Sequence, residues 1–289
     1  MDVRIAKSAG FCFGVQRAVQ LVYDEAEKET AAVCTLGPII HNEFVVKDLE
    51  EKGVLVLDED LKVRGTGAEP PSDSVIIIRS HGVSRALYEE IRKKGWRIVD
   101  ATCPFVHKIH KFAAEKSAAG CCIVIIGNAD HPEVKGIRGW VSGPCAVVET
   151  PGDVDRLDFP ENSQVCIVSQ TTFHFDKFQE LVEIICKLGY HVIVENTICN
   201  ATKERQTEAL DLASQSDIML VIGSRTSSNT QKLYNLCRSQ CKNTYYIQKL
   251  DDLETTHFPS DSCVGITAGA STPNNIIQEV SQHVRGTEF

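Results

Sequence analysis

Residues 96–133, WRIVDATCPFVHKIHKFAAEKSAAGCCIVIIGNADHPE, decide the fold. A strand-like run, WRIVDAT, stops at Cys103, a helical pattern follows, and a wholly apolar run, CCIVIIG, stops at Gly127. Helical spacing between short apolar runs reads as strand, helix, strand, the unit from which parallel sheets are built. His131 stands four residues past the glycine. The same punctuation occurs twice more. Cys12 closes VRIAKSAGF and opens GVQRAVQLVYDEAEKE, while Cys199 closes HVIVENTI and opens ATKERQTEALDLASQ. Gly37 and Gly223 follow 25 and 24 residues later, against 24 from Cys103 to Gly127, and His41 and Ser227 stand four beyond them. A third run (VLVLD, AVVE, YYIQ), an acidic connector and a fourth run (VIIIRS, VCIVSQ, CVGITAG) complete each copy. The fourth runs end at His81, Thr171 and Ser271, which lie 44, 44 and 48 residues past the glycines.

A repeat of this length predicts an α/β fold of three pseudo-threefold-related lobes with mostly parallel sheets. The expected boundaries are 13–102, 103–198 and 199–285, the last completed by the N-terminal strand 1–12. Residues 286–289 match no copy and are expected to be an added tail. Ligands of such sheets sit beyond the carboxyl ends of the strands. All nine marked positions fall in those strand-to-helix loops, so three lobes facing one axis would gather three cysteines, three histidines and several hydroxyls.

Composition narrows the activity. The chain has 289 residues, 30 basic and 39 acidic side chains and a net charge of -9, which argues against non-specific binding of nucleic acid or anionic membrane. No stretch approaches the apolar length of a membrane helix. The N-terminus reads as neither signal peptide nor presequence, so a cytoplasmic location is expected. Twelve cysteines in reducing cytosol are not a disulfide framework.

A thiolate near a helix N-terminus is favoured as an anion, which suits soft metals. Iron-sulfur clusters usually take four cysteines, so Cys12, Cys103 and Cys199 would leave one iron of a 4Fe-4S cluster open to substrate. Zinc with three thiolates and an activated water is the other ligand reading. Cys34, Cys121, Cys122, Cys166 and Cys263 lie inside apolar runs and read as core residues. Cys145 reads as a loop residue, and Cys237 and Cys241 as neighbours on one helical face. The segments GPIIHNE, NADHPE, SRTSSN, RSHGVS, SQTTF and AGAST supply neutral donors, imidazoles and loop N–H groups, as a diphosphate requires. Each hydroxyl or amide there could equally do no more than cap a helix.

GFCFGV at 10, HN at 41, SHGVS at 80, DATCP at 100, HPEV at 131, QTT at 170, TICNAT at 197, SSN at 227 and TAGAS at 267 together resemble the 4-hydroxy-3-methylbut-2-enyl diphosphate reductase family. The resemblance runs from the first residues to about Ser281. It implies three lobes around a central 4Fe-4S cluster and reduction of 4-hydroxy-3-methylbut-2-enyl diphosphate to isopentenyl and dimethylallyl diphosphate, the last step of the methylerythritol phosphate pathway. It further implies that Cys12, Cys103 and Cys199 are the cluster ligands. His41, His81, His131, Thr171, Ser227, Ser228, Asn229 and Ser271 would bind substrate, and Glu133 and Thr171, with His131, would carry protons. Ferredoxin or flavodoxin is the implied electron donor. A cluster held within one chain needs no second copy, so a monomer is expected.

Phe13 and Asn200 stand beside ligand cysteines, and Arg79 before Ser80, where the family pattern has other residue types. Glu43 follows His41 as Glu133 follows His131, and the repeat alone does not choose between them; the HPEV match favours Glu133. The competing readings are a hydro-lyase at an open iron, which needs no reductant, and an iron-sulfur sensor, for which the acidic composition offers no nucleic-acid-binding helix. A dinucleotide-binding domain is disfavoured because no G-x-G-x-x-G follows a strand.

Overall fold

The computed structural model describes residues 1–28, 31–253 and 258–286. The first repeat's runs become β1 (Asp2–Ile5), α1 (Phe13–Lys28), β2 (Val33–Leu36), α2 (Glu43–Glu51), β3 (Leu55–Leu57), β4 (Val75–Ile78), α3 (Arg85–Lys93) and β5 (Arg97–Asp100). The second supplies α4 (Pro104–Ala118), β6 (Cys122–Ile126), α5 (Pro132–Arg138), β7 (Cys145–Val148), α6 (Pro151–Val154), β8 (Gln164–Ser169), α7 (Phe175–Cys186) and β9 (His191–Val194). The third supplies α8 (Asn200–Ser214), β10 (Ile218–Ile222), α9 (Ser228–Gln240), β11 (Thr244–Ile247), β12 (Cys263–Ala268) and α10 (Asn274–Gly286). Gly286 is the last residue of α10, and the rest of the expected tail, 287–289, lies outside the described residues.

These elements form three four-stranded parallel sheets, ordered β3-β2-β4-β5, β7-β6-β8-β9 and β1-β12-β10-β11. Read from the other edge, the last order is β11-β10-β12-β1, so all three sheets share one topology. The central strands VIII, CIVII and IMLVI are buried at every position, as a sheet covered by helices on both faces requires. The strands leading to the three cysteines, β1, β5 and β9, are sheet edges and are only partly buried. Between the second and third strands of each order the chain reverses direction across the sheet. The loops leaving those two strands open the crevice in which parallel sheets bind ligands.

Two compact units divide the chain. One comprises Met1–Gln16, Ile40–Val46 and Asn200–Phe289, the other Arg17–Ile39 and Lys47–Cys199. In the first unit Ile218, Leu220, Ile222, Val264 and Ile266 pack against Ile277, Val280 and Val284 of α10. In the second, Val124, Ile126, Val165 and Ile167 pack against Phe178, Leu181 and Ile185 of α7. Each such side chain contributes about 1.5–3 kcal/mol by leaving water.

Helix α4 shows how sequence sets an element's limits. Pro104 occupies the first turn, where a missing N–H costs nothing, and Val106, Ile109, His110, Ala113 and Ser117 recur on one buried face. Gly120, at φ +89°, ends it. No helix among the described residues is long and apolar enough to cross a membrane.

Candidate functional site

In the first unit, Cys12 precedes α1 and donates its N–H to Ala270 O at 3.2 Å. Ser271, buried, donates its hydroxyl to His41 O at 3.0 Å and lies 3.5 Å from Ser227 Oγ. Ser227 caps α9, accepting from Thr230 N. Ser228 and Asn229 begin that helix, and the buried Asn229 amide Nδ2 has no hydrogen-bond partner among the described residues. A buried amide left without a partner costs about 1–3 kcal/mol, so a donor held in this way is suited to an anionic ligand. Gly223, at φ +152°, is needed here: a Cβ would lie 2.6 Å from Thr230 Oγ1, so only glycine lets β10 end against α9. His41, Ser227, Asn229 and Ser271 are thereby brought together with the loop that carries Cys12.

Asn42 ties this arrangement down. Its Nδ2 donates to Ser271 O at 2.8 Å while its Oδ1 caps α2 by accepting from Phe44 N and Val45 N. The capping half is legible from sequence, whereas the bond across 229 residues is not. Glu43, next in the chain, is exposed and accepts from Gln248 Nε2 at 3.2 Å.

In the second unit, Cys103 occupies the N-cap of α4 without making a capping bond, and its N–H donates to Ser80 O at 3.0 Å. Cys199 N donates to Thr171 O at 3.0 Å. The Thr171 side chain faces the other way: its hydroxyl donates to Glu133 Oε2 at 2.7 Å and its N–H to Oε1 at 2.5 Å. Glu133 is 1% exposed. His131 caps α5, its Nδ1 accepting from Glu133 N at 3.2 Å, so in the neutral ring the hydrogen is on Nε2. The His81 ring meets that of His131 edge-on, centroids 5.4 Å apart. Glu133 and Glu43, equivalent by repeat, therefore occupy different surroundings.

Beneath His81 lies His110, which sequence inspection did not single out. It is 3% exposed, stacks on Trp140 at 5.5 Å and 19°, and abuts Gly82 and Gly136. Trp140 Nε1 in turn donates to Val83 O at 2.9 Å. Burial, with a smaller push from His107 and an opposing pull from Asp100, lowers His110 to about 4, so the ring is neutral near pH 7. Arg79, unexpected before Ser80, lies over Gly37 and pairs with Glu59 at 3.1 Å.

All twelve cysteines are thiols outside any disulfide. Burial pushes Cys237 and Cys166 up to about 12 and Cys145 up to about 11, and raises Cys34, which fits core residues rather than ligands. Cys145 is the first residue of β7, not a loop residue as expected, because the parallel ladder with β6 extends to it, Ile123 standing opposite Cys145 and donating its N–H to Pro144 O at 2.9 Å. Cys237 and Cys241 are each buried against a backbone carbonyl, that of Ala209 and of Asp217. Cys12 in the first unit and Cys103 and Cys199 in the second are half-buried thiols that directly precede a helix, and a thiol so placed is chemically suited to ligate a soft metal or an iron-sulfur group.

The LytB protein family matches residues 3–285. A relative from Caldanaerobacter subterraneus subsp. tengcongensis, a 4-hydroxy-3-methylbut-2-enyl diphosphate reductase, is 42% identical over 99% of this chain and 97% of its own. One of the same name from Clostridioides difficile is 41% identical over 97% and 98%. Among solved structures, the E-1-hydroxy-2-methyl-but-2-enyl-4-diphosphate reductase from Plasmodium falciparum superposes with a TM-score of 0.91 at 29% identity, covering 100% of this chain and 89% of that one. A second, an (E)-4-hydroxy-3-methyl-but-2-enyl diphosphate reductase described as the terminal enzyme of the non-mevalonate pathway, gives 0.72 at 39%, covering 99% and 100%.

Proposed function

The chain belongs to the LytB protein family, and on that premise we propose that it is an enzyme reducing 4-hydroxy-3-methylbut-2-enyl diphosphate to isopentenyl and dimethylallyl diphosphate. Per substrate the reaction consumes two electrons and two protons, breaks one C–O bond, forms one C–H bond and releases water. A 4Fe-4S cluster held by Cys12, Cys103 and Cys199 supplies electrons and an open Lewis-acidic iron when bound.

The remaining work falls to side chains. In the first unit His41, Ser227, Ser228, Asn229 and Ser271 are the diphosphate donors, with Asn229 Nδ2 offering an N–H that no group among the described residues takes up. In the second, His81 and His131 add imidazole donors, His131 through Nε2 because Nδ1 is engaged by Glu133 N. Glu133 holds the proton, and Thr171 Oγ1, 2.7 Å away, passes it to the departing hydroxyl. The observation that carries this reading is the double role of Thr171, whose side chain meets a buried carboxyl group while its carbonyl meets the N–H of Cys199. The exposed Glu43 has no such partner, which favours Glu133 as the acid.

Anaerobic purification followed by iron, sulfide and zinc analysis and turnover with dithionite tests the proposal. About four irons and four sulfides per chain with reductant-dependent alkene formation is expected. One zinc without sulfide, or a full cluster acting on substrate without reductant, overturns it. Cys12→Ser, Cys103→Ser and Cys199→Ser should each lose iron and activity together.

A further inference from the structure

We propose that the solvent face of α4, with α5 beside it, is the docking surface for a small acidic electron-carrier protein. The proposal rests on the reductive reading above, in which both electrons come from outside the substrate. Helix α4 starts at Cys103, one of the assigned cluster ligands, so its first turns offer an approach along the chain to that thiol.

The exposed face of α4 combines an aromatic with unpaired positive charge. Phe105, two residues past Cys103, is 42% exposed and presents its ring to solvent beside that thiol. Lys108 Nζ lies 5.8 Å from the Phe105 ring centroid and makes no ion pair among the described residues. Lys111, one turn on, is exposed and pairs weakly with Glu115 at 3.8 Å, and Lys116 lies over Phe112 at 5.5 Å. Helix α5 packs on α4 through Ile109, Ala113, Val134 and Ile137, and adds the exposed Lys135 and Arg138. On the two helices five cations stand against the exposed Glu115, Glu133 being buried, while Asp100, paired with His107 of α4 at 3.0 Å, and the exposed Asp130 lie at their N-terminal ends.

That local sign opposes the chain's net charge of -9. An acidic partner is repelled by the protein as a whole and drawn to this face, which selects both partner and orientation. The arrangement, an aromatic anchor ringed by lysines, suits a transient complex whose speed comes from electrostatic steering and whose register comes from one buried ring.

The test uses an acidic flavodoxin as probe. Its affinity for the chain, with and without cluster, is read from the anisotropy of its own oxidised flavin. Binding should weaken as salt rises from low to about 0.3 M. The triple variant Phe105→Ala, Lys108→Glu, Lys111→Glu should weaken it at least about tenfold while leaving dithionite-driven turnover unchanged. Lys47→Glu, the same charge reversal on α2, should leave affinity unchanged. Equal flavodoxin affinity in the triple variant and the unaltered chain overturns the proposal, as does equal weakening by Lys47→Glu or a parallel loss of dithionite-driven turnover. Failure of the unaltered protein to turn over with dithionite defeats the reductive reading instead, and the affinity of the cluster-free chain still decides the docking surface.

Discussion

Gly82→Ala should couple energetically to His110. Gly82 sits at φ +70°, where an alanine pays about 1–2 kcal/mol in backbone strain. The new Cβ would also lie 2.5 Å from His110 Cε1 and 3.1 Å from Thr102 Cγ2. The imidazole has little room to move, lodged between Trp140 and the backbone of Gly136, so overpacking adds about 1–3 kcal/mol. A total of about 2–5 kcal/mol follows from these two contributions. In a His110→Ala background the ring is gone and the same substitution should cost only the backbone part, a coupling of about 1–3 kcal/mol. Urea unfolding of the four proteins, followed by fluorescence of the two tryptophans, Trp96 and Trp140, both in the second unit, measures the cycle. Equal costs of Gly82→Ala in the two backgrounds would refute the steric argument. Because His81 precedes Gly82, the single variant should also raise the KM for substrate.

The buried His110 makes the second unit acid-sensitive. Its folded pKa of about 4 lies below the ordinary 6.5, so the neutral ring adds stability that is complete above pH 6.5 and is lost as pH falls toward 4, by about 3 kcal/mol at most. His110→Phe should flatten the difference between urea midpoints at pH 7 and about pH 4.5; an unchanged slope would exclude His110 as its source. Glu133→Gln should lower turnover about 10²–10⁴-fold with iron content intact, and Glu43→Gln should leave turnover near normal; the reverse result would transfer the acid's role to Glu43. Glu208 accepts from Lys7 N, Ser8 N and Ser8 Oγ; burial opposes its ionisation, but these hydrogen bonds prevail and lower its pKa. Glu208→Ala should cost about 1–2 kcal/mol at neutral pH and progressively less as pH falls below the ordinary 4.5, read as a falling difference in Tm.

The order of elements was legible because apolar runs and glycine stops are local signals. Cys12, Cys103 and Cys199 stand at strand-to-helix junctions as their spacing implied, and Gly37, Gly127 and Gly223 each end the second strand of a repeat. What sequence did not disclose depends on contacts between distant positions. Asn42 looks like an ordinary helix cap until its amide is seen on Ser271, and His110 looks like one more polar residue on a lysine-rich helix until its ring is found under Gly82. The choice between Glu43 and Glu133 was open by symmetry, and burial of one against exposure of the other distinguishes their environments. Arg79 is similar: its long side chain fills space above Gly37, a fit that no local pattern encodes.

The pairing of β1 with β12 bears on how the protein is made. Val3 is in register with Val264, so β1 has no partner strand until about 260 residues more have been made. At roughly 5–20 residues per second that is a wait of roughly 13–50 seconds, during which the segment carrying Cys12 has neither its neighbouring strand nor the Ala270 carbonyl that receives its N–H. The sheets ordered β3-β2-β4-β5 and β7-β6-β8-β9 are built from strands of nearby synthesis and can close earlier. Vectorial synthesis thus leaves the Cys12 strand to be seated last, and a nascent chain stalled before β12 would hold two of the three cysteines beside finished sheets and the third beside an unpaired strand.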